Sequence, residues 1–231
     1  MYLPYIEDEK LVTEVKIILN KIELTANCAK KALHSNVIDP FSAFFDAATQ
    51  GISLSTWLKQ EKARQIQKTM QNCIGDFHQG VLGNINGWKN LGTGQIVDIE
   101  NTKKGLVAEI KNKYNTTKGN HKIEIYDELE AVLDMRDKKW ISYYVEIIPQ
   151  NKKTYDKPFT PSDHKTKSRR PENNRIRIID GKSFYDLASG EKDTLKKLYT
   201  VLPKVIEDMK NVKLDKKFKE DFLELFHQAY L

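Results

Sequence analysis

The fold turns on the stretch Gly94-Gln-Ile-Val-Asp98-Ile-Glu-Asn-Thr-Lys-Lys-Gly105-Leu-Val-Ala-Glu109-Ile-Lys111-Asn-Lys113. Two β-rich runs, Gln95–Asn101 and Leu106–Asn112, flank a tight turn at Thr102-Lys-Lys-Gly105, which predicts a hairpin. Alternate residues of a strand share a face, so Glu109 and Lys111 project together. Folding the hairpin back brings Asp98 opposite them, to within a register step. Two carboxylates and an ammonium then converge on one surface.

Those residue types suit phosphodiester hydrolysis. Mg²⁺ takes hard oxygen ligands, commonly one or two carboxylates with water and substrate phosphate completing its shell. Asp98 and Glu109 offer the carboxylates, and the Ile110 carbonyl offers a third oxygen. The metal would acidify water and neutralise charge on the phosphate. Lys111 would orient the attacking water or stabilise developing charge. The same three residues also suit a solvated hairpin, where Asp, Glu and Lys are common. The flanks decide between the two readings. Ile96, Val97, Ile99, Leu106, Val107, Ala108 and Ile110 are apolar, as in a sheet covered on both faces. Charges inside such a run are costly unless paired or metal-bound.

Outward from the hairpin, the first ninety residues read mainly as helix. Apolar spacing predicts helices over Lys10–Leu33, from Asp39-Pro40 through Thr49, and from about Trp57 to Val81, the last capped by Ser53 or Ser55. Six of the eleven glycines lie between Gly75 and Gly94 and mark a loop-rich entry into the sheet. Beyond the hairpin, Lys122–Met135 reads as helix and Trp140–Ile148 as an alternating strand. Arg175–Ile179 reads as a strand with two arginines on one face, and Asp193–Met209 and Lys217–Leu231 as helices. The order predicts an α/β (α+β) fold with a central mixed sheet flanked by helices, in one domain over 1–231. Its parts are a helical region (1–90), a catalytic sheet with a basic loop (91–182) and C-terminal helices (183–231).

The net charge of +6 is localised. Residues Pro149 to Lys182 hold ten Lys or Arg against four Asp or Glu, which accounts for the whole excess. A basic stretch in a balanced chain points to a polyanion, or to a solvated charged loop. Arg169, Arg170, Arg175, Arg177 and Asn173 suit base edges in a DNA major groove. Lys152, Lys153, Lys165 and Lys167 suit phosphates, as does Lys113 on the hairpin face. His78 and Gln79 either face DNA or serve a helix end.

Other chemistries fit poorly. Cys28 and Cys73 stand apart, as reduced thiols do, and the five histidines lack zinc spacing. Gly181-Lys182-Ser183 resembles the end of a phosphate-binding loop, but Ile176 stands where its first glycine belongs. No apolar run reaches membrane-spanning length, and the N-terminal residues lack signal-peptide organisation, so a cytoplasmic location is expected.

Asp98 and Glu109-Ile-Lys111, preceded by a helix bearing Glu61, resemble the PD-(D/E)XK nuclease superfamily. Three blocks resemble type II restriction endonucleases that cut GGNCC-type sites: Ile74–Gly83 through Gly87-Trp88, Asp98 through Lys113, and Asp180–Gly190. Together they span roughly residues 57 to 210. Val97 stands in place of the proline that names the motif. The resemblance implies a restriction-endonuclease-like core, dependence on Mg²⁺ (Mn²⁺ as a substitute), and a homodimer that cuts both strands of a palindrome in double-stranded DNA. It also implies a cognate DNA methyltransferase encoded separately. Asp98 and Glu109 would hold metal, Lys111 would be the catalytic lysine, and Glu61 an outer acidic residue of the site. A structure-specific repair or recombination nuclease and a non-catalytic DNA-binding module are the alternatives.

Overall fold

The computed structural model describes residues 1–35, 38–92, 94–117, 119–163 and 167–230, and for 26–35 it describes the backbone alone. Two compact units make up the chain, one of residues 1–14 and 77–231, the other of residues 15–76. The helical region expected over 1–90 is therefore shared between them, 1–14 and 77–90 in one unit and 15–76 in the other.

Three helices come first: α1 (Asp8–Ser35), α2 (Pro40–Gln50) and α3 (Leu54–Gly83). In the 15–76 unit, Asp39 caps α2 by accepting the Phe41 amide at 3.0 Å, and Gly51 ends it in the left-handed region at φ 64°. Ser53 Oγ accepts the Thr56 amide at the start of α3, one of the two expected caps. Asp46 then ties α2 to α3, accepting from Trp57 Nε1 at 2.8 Å and from Arg64 at 3.1 Å. Ala43 is the buried residue of α2, and Phe44 and Phe45 remain exposed.

The other unit holds β1 (Lys89–Asn90), β2 (Ile99–Asn101), β3 (Leu106–Lys113), α4 (Gly119–Asp134), β4 (Ile141–Ile148), β5 (Asp156–Pro158), β6 (Ser162–Asp163), β7 (Ser168–Arg169) and β8 (Ile176–Asp180). Helices α5 (Gly181–Ser189), α6 (Thr194–Lys210) and α7 (Lys216–Tyr230) close it. Six strands form one sheet in the order β1-β2-β3-β4-β8-β5. The β3–β4 and β4–β8 pairs are parallel and the others antiparallel, so the sheet is mixed, as expected.

Helix α4 is the crossover that parallel β3 and β4 require. Its Ile125, Tyr126, Leu129 and Leu133 pack with Val107, Tyr144 and Ile176 of the sheet. On the opposite face α5 begins hard against β4. A Cβ on Gly181 would lie 2.4 Å from the Ile147 carbonyl oxygen, so only glycine allows this approach. Asp180 caps the helix through the Ser183 amide at 3.1 Å, and Gly190 ends it at φ 79°. The Asp180–Gly190 block is thus a capped helix docked on β4. The N-terminal residues join the same unit, with the Tyr5 hydroxyl donating to the Thr194 carbonyl at 3.0 Å.

Three expectations change. The strand expected over Gln95–Asn101 begins only at Ile99, because Gly92 (φ 77°) and Gly94 (φ 86°) send the preceding chain through bends, and Ile96 is exposed. The strand expected to alternate over Trp140–Ile148 is buried on both faces from Ser142 to Ile147, as a central strand should be. The basic loop is partly structured: β5 pairs with the edge of β8, and β6 with β7. Among the described residues, no helix is long and apolar enough to cross a membrane.

Candidate active site

The hairpin turn forms as the sequence suggests. Asn101 accepts the Lys104 amide at 3.0 Å and Gly105 adopts φ 65°, which sets β2 against β3 with Ile99 opposite Ala108. Asp98 immediately precedes this paired stretch and still reaches β3. The Asp98 amide donates to the Ala108 carbonyl at 3.0 Å, and its carboxylate accepts the Ile110 amide at 2.7 Å. Asp98 is thereby fixed from both ends, although it lies just outside the strand.

Glu109 and Lys111 share a face and form an ion pair, with side chains 13% and 29% exposed. The Asp98 and Glu109 carboxyl groups are close enough to shift each other's pKa, and the Gln79 side chain acts on Asp98 as well. Burial raises both carboxyl pKa values above the ordinary range. For Glu109 the negative charge of Asp98 adds to that rise, and the Lys111 ammonium opposes it. For Asp98 the Ile110 amide and Lys111 pull the other way. Two carboxylates are therefore held together at an electrostatic cost that a nearby cation would relieve.

This donor set fits a hard divalent ion. Among the described residues no cluster of three or more His, Cys, Asp or Glu is arranged for a metal. Magnesium needs only one or two carboxylates, with other oxygens completing its shell. In a β-strand the N–H and C=O of one residue point to the same edge, so the Ile110 carbonyl shares the edge of its Asp98-bonded amide. Asp98, Glu109 and Ile110 together present an all-oxygen set.

The neighbouring strands extend the face. Glu109 is the register partner of Tyr144, Lys111 of Glu146, and Glu146 of Asp180. Glu146 is 4% exposed and is held by Lys122 of α4 and by the Tyr155 hydroxyl. Sequence reasoning passed over Glu146 and Lys122. The signal was a charge within the apolar run Ser142–Ile148, the same argument that selected Glu109.

Glu61 belongs to the 15–76 unit, where Arg64 and Gln65 donate to its carboxylate. Arg170 pairs with Asp127 at 2.7 Å, and Arg177 pairs with Asp156 at 2.6 Å, pinning β5 to β8. Arg169 is exposed and donates to the Thr160 carbonyl at 3.1 Å. Asn173 accepts the Arg175 amide at 2.9 Å, a turn contact. Lys113 is half-buried at the end of β3, and Lys167 is exposed at φ 53°. Lys165 lies outside the described residues. His78 is buried, with Nδ1 2.8 Å from the Tyr185 hydroxyl, which makes it a core group.

A mixed sheet bearing a carboxylate pair and a lysine on one hairpin is consistent with a restriction endonuclease. The chain belongs to the Eco47II restriction endonuclease family, whose model matches residues 3–211. It is 42% identical to the type II restriction enzyme Eco47II of Escherichia coli, over 99% of this chain and 98% of that protein. It is 31% identical to the type II restriction enzyme Sau96I of Staphylococcus aureus, over 99% of this chain and 89% of that one. No solved structure matches the chain.

Proposed function

We propose that this protein is a type II restriction endonuclease that hydrolyses phosphodiester bonds of double-stranded DNA at a short palindromic site, of GGNCC type by resemblance. The observation that carries the reading is the Asp98–Glu109 carboxyl pair with Lys111 on the same face. Family membership supports the reaction class.

Asp98, Glu109 and the Ile110 carbonyl would hold Mg²⁺, or Mn²⁺ in its place. Bound there, the ion supplies positive charge to the phosphate and lowers the pKa of water. The chain's own residues do the rest. The Ile110 amide keeps the Asp98 carboxylate aimed at Glu109. Lys111, held by Glu109 in the free chain, turns its ammonium to the phosphate and stabilises the charge that gathers on it. The buried setting of both carboxyl groups strengthens each of these interactions relative to water. Glu61 would act as an outer acidic residue.

Cutting both strands of a palindrome calls for two such sites, hence a homodimer, and host DNA would be protected by a separately encoded methyltransferase. The basic segment would read the site, with Arg169, Arg170, Arg175, Arg177 and Asn173 at bases and Lys113, Lys165 and Lys167 at phosphates. The cytoplasm is the expected place of action. The test is digestion of unmethylated duplex DNA with Mg²⁺, beside Lys111→Ala. Discrete fragments from the wild type alone support the reading. Cleavage at junctions or flaps without sequence preference would favour a repair nuclease, and metal-independent binding without nicking a binding module.

A further inference from the structure

The interior of β4 carries one charge, Glu146, and it is almost fully buried at 4% exposure. An ion so placed is costly unless its oxygens are occupied. Lys122 Nζ donates to one oxygen at 2.6 Å, and the Tyr155 hydroxyl donates to the other. Lys122 also stands 5.4 Å from the centre of the Tyr144 ring. These positions belong to the site face. Tyr144 is the register partner of Glu109, and Glu146 that of Lys111, so each is one strand away, about 4.8 Å.

Lys122 comes from the first turn of α4, where the helix dipole disfavours a cation. An anchoring pair between helix and sheet would not need that placement. An ammonium has three N–H donors. Glu146 takes one, the Tyr144 ring centre lies 5.4 Å away, and the Lys122 side chain is still 25% exposed, against 5% for Glu146. The carboxylate is a buried support, and the ammonium is its open end. Local preference opposes this cation, buried chemistry supports it, and its partners Tyr144 and Glu146 are the register neighbours of Glu109 and Lys111.

The geometry points to Lys122 as a second phosphate-binding lysine of the site: parked on Glu146 in the free chain, it contacts the DNA backbone beside the scissile phosphate. Glu146 and Tyr155 are positioning residues that act through it. This inference rests on the nuclease reading above.

The experiment uses the full chain and a duplex carrying its cleavage site, with binding measured in EDTA across a salt series and cleavage measured separately with Mg²⁺. Lys122→Gln should weaken binding about tenfold and reduce the slope of log K against log salt by about 0.9, the loss of one phosphate contact. KM should rise more than kcat falls, and Lys122→Arg should restore the slope. Because Lys122→Gln leaves Glu146 buried without its cation, the double variant Lys122→Met/Glu146→Gln removes both charges, and it should show the same loss of slope. A wild-type slope in the double variant or in a folded Lys122→Gln protein overturns the inference, provided the wild type cleaves DNA. A wild type that cuts nothing with Mg²⁺ or Mn²⁺ overturns the nuclease reading instead.

Discussion

The Asp98 carboxylate accepts the Ile110 amide at 2.7 Å, which ties the residue just before β2 to the strand that carries Glu109 and Lys111. One hydrogen bond thus sets the spacing of the two carboxyl groups. Asparagine keeps an acceptor oxygen for the Ile110 amide and removes the charge that opposes Glu109. Asp98→Asn should therefore retain or slightly raise thermal stability and lower cleavage by at least about 10²-fold. Asp98→Ala loses the acceptor as well, and should cost about 1 kcal/mol of stability. Melting curves beside a plasmid-nicking assay check both, and substantial cutting by Asp98→Asn would remove this carboxylate from the mechanism.

His78 gives the fold a sensitivity to acid. Burial lowers its pKa from 6.5 to about 4. The unfolded chain takes up the proton near 6.5 and the folded chain resists until about 4. The contribution is complete above the higher value and is lost as pH falls through that window, at about 1.4 kcal/mol per unit. Stability measured by denaturant at several pH values should fall between neutrality and about pH 4, and His78→Gln should flatten that fall. Parallel curves for the two proteins would show that other groups cause it.

Two glycines should respond in opposite ways. Gly181→Ala puts a methyl against the Ile147 backbone, 2.4 Å from its carbonyl oxygen, where no side chain can yield. It should cost roughly 1–3 kcal/mol. Gly75, within α3, has no atom within 4 Å of a built Cβ, so Gly75→Ala should gain up to about 1 kcal/mol from helix propensity. Thermal melts of the two variants decide this.

The arginines of the basic segment should separate by role. Arg177 holds Asp156 with both side chain and backbone contacts, so Arg177→Ala should loosen β5 and lower stability by about 1 kcal/mol. Arg175 has no carboxylate partner among the described residues. Arg175→Ala should leave melting unchanged and weaken binding to the specific site by about 1–3 kcal/mol. Equal weakening on random-sequence DNA would assign Arg175 to phosphate.

The hairpin was legible because its information is local. A period of two placed Glu109 and Lys111 on one face, and the Lys104-Gly105 turn set the register that brings Asp98 across. The helix capped by Asp39 follows from short-range chemistry of the same kind, whereas α5, capped by Asp180, was not among the expected helices. What escaped was tertiary. The shortening of β2 depends on positive φ at Gly92 and Gly94, which glycine permits without demanding. The Glu146–Lys122 pair joins a strand to the start of the crossover helix, 24 residues apart, and is visible only once β4 lies beside β3. Arg170 and Arg177 looked free in a basic run, but the fold brings Asp127 and Asp156 to them.

The central claim is that the Asp98, Glu109 and Lys111 hairpin cuts DNA at a defined sequence. Its most direct test is digestion of a long unmethylated duplex with Mg²⁺, wild type beside Lys111→Ala, followed by sequencing of the fragment ends. The account predicts discrete fragments whose ends share one short palindrome, with none from the variant. Fragments of equal abundance from the folded Lys111→Ala protein, or intact DNA from the wild type with both Mg²⁺ and Mn²⁺, would contradict it.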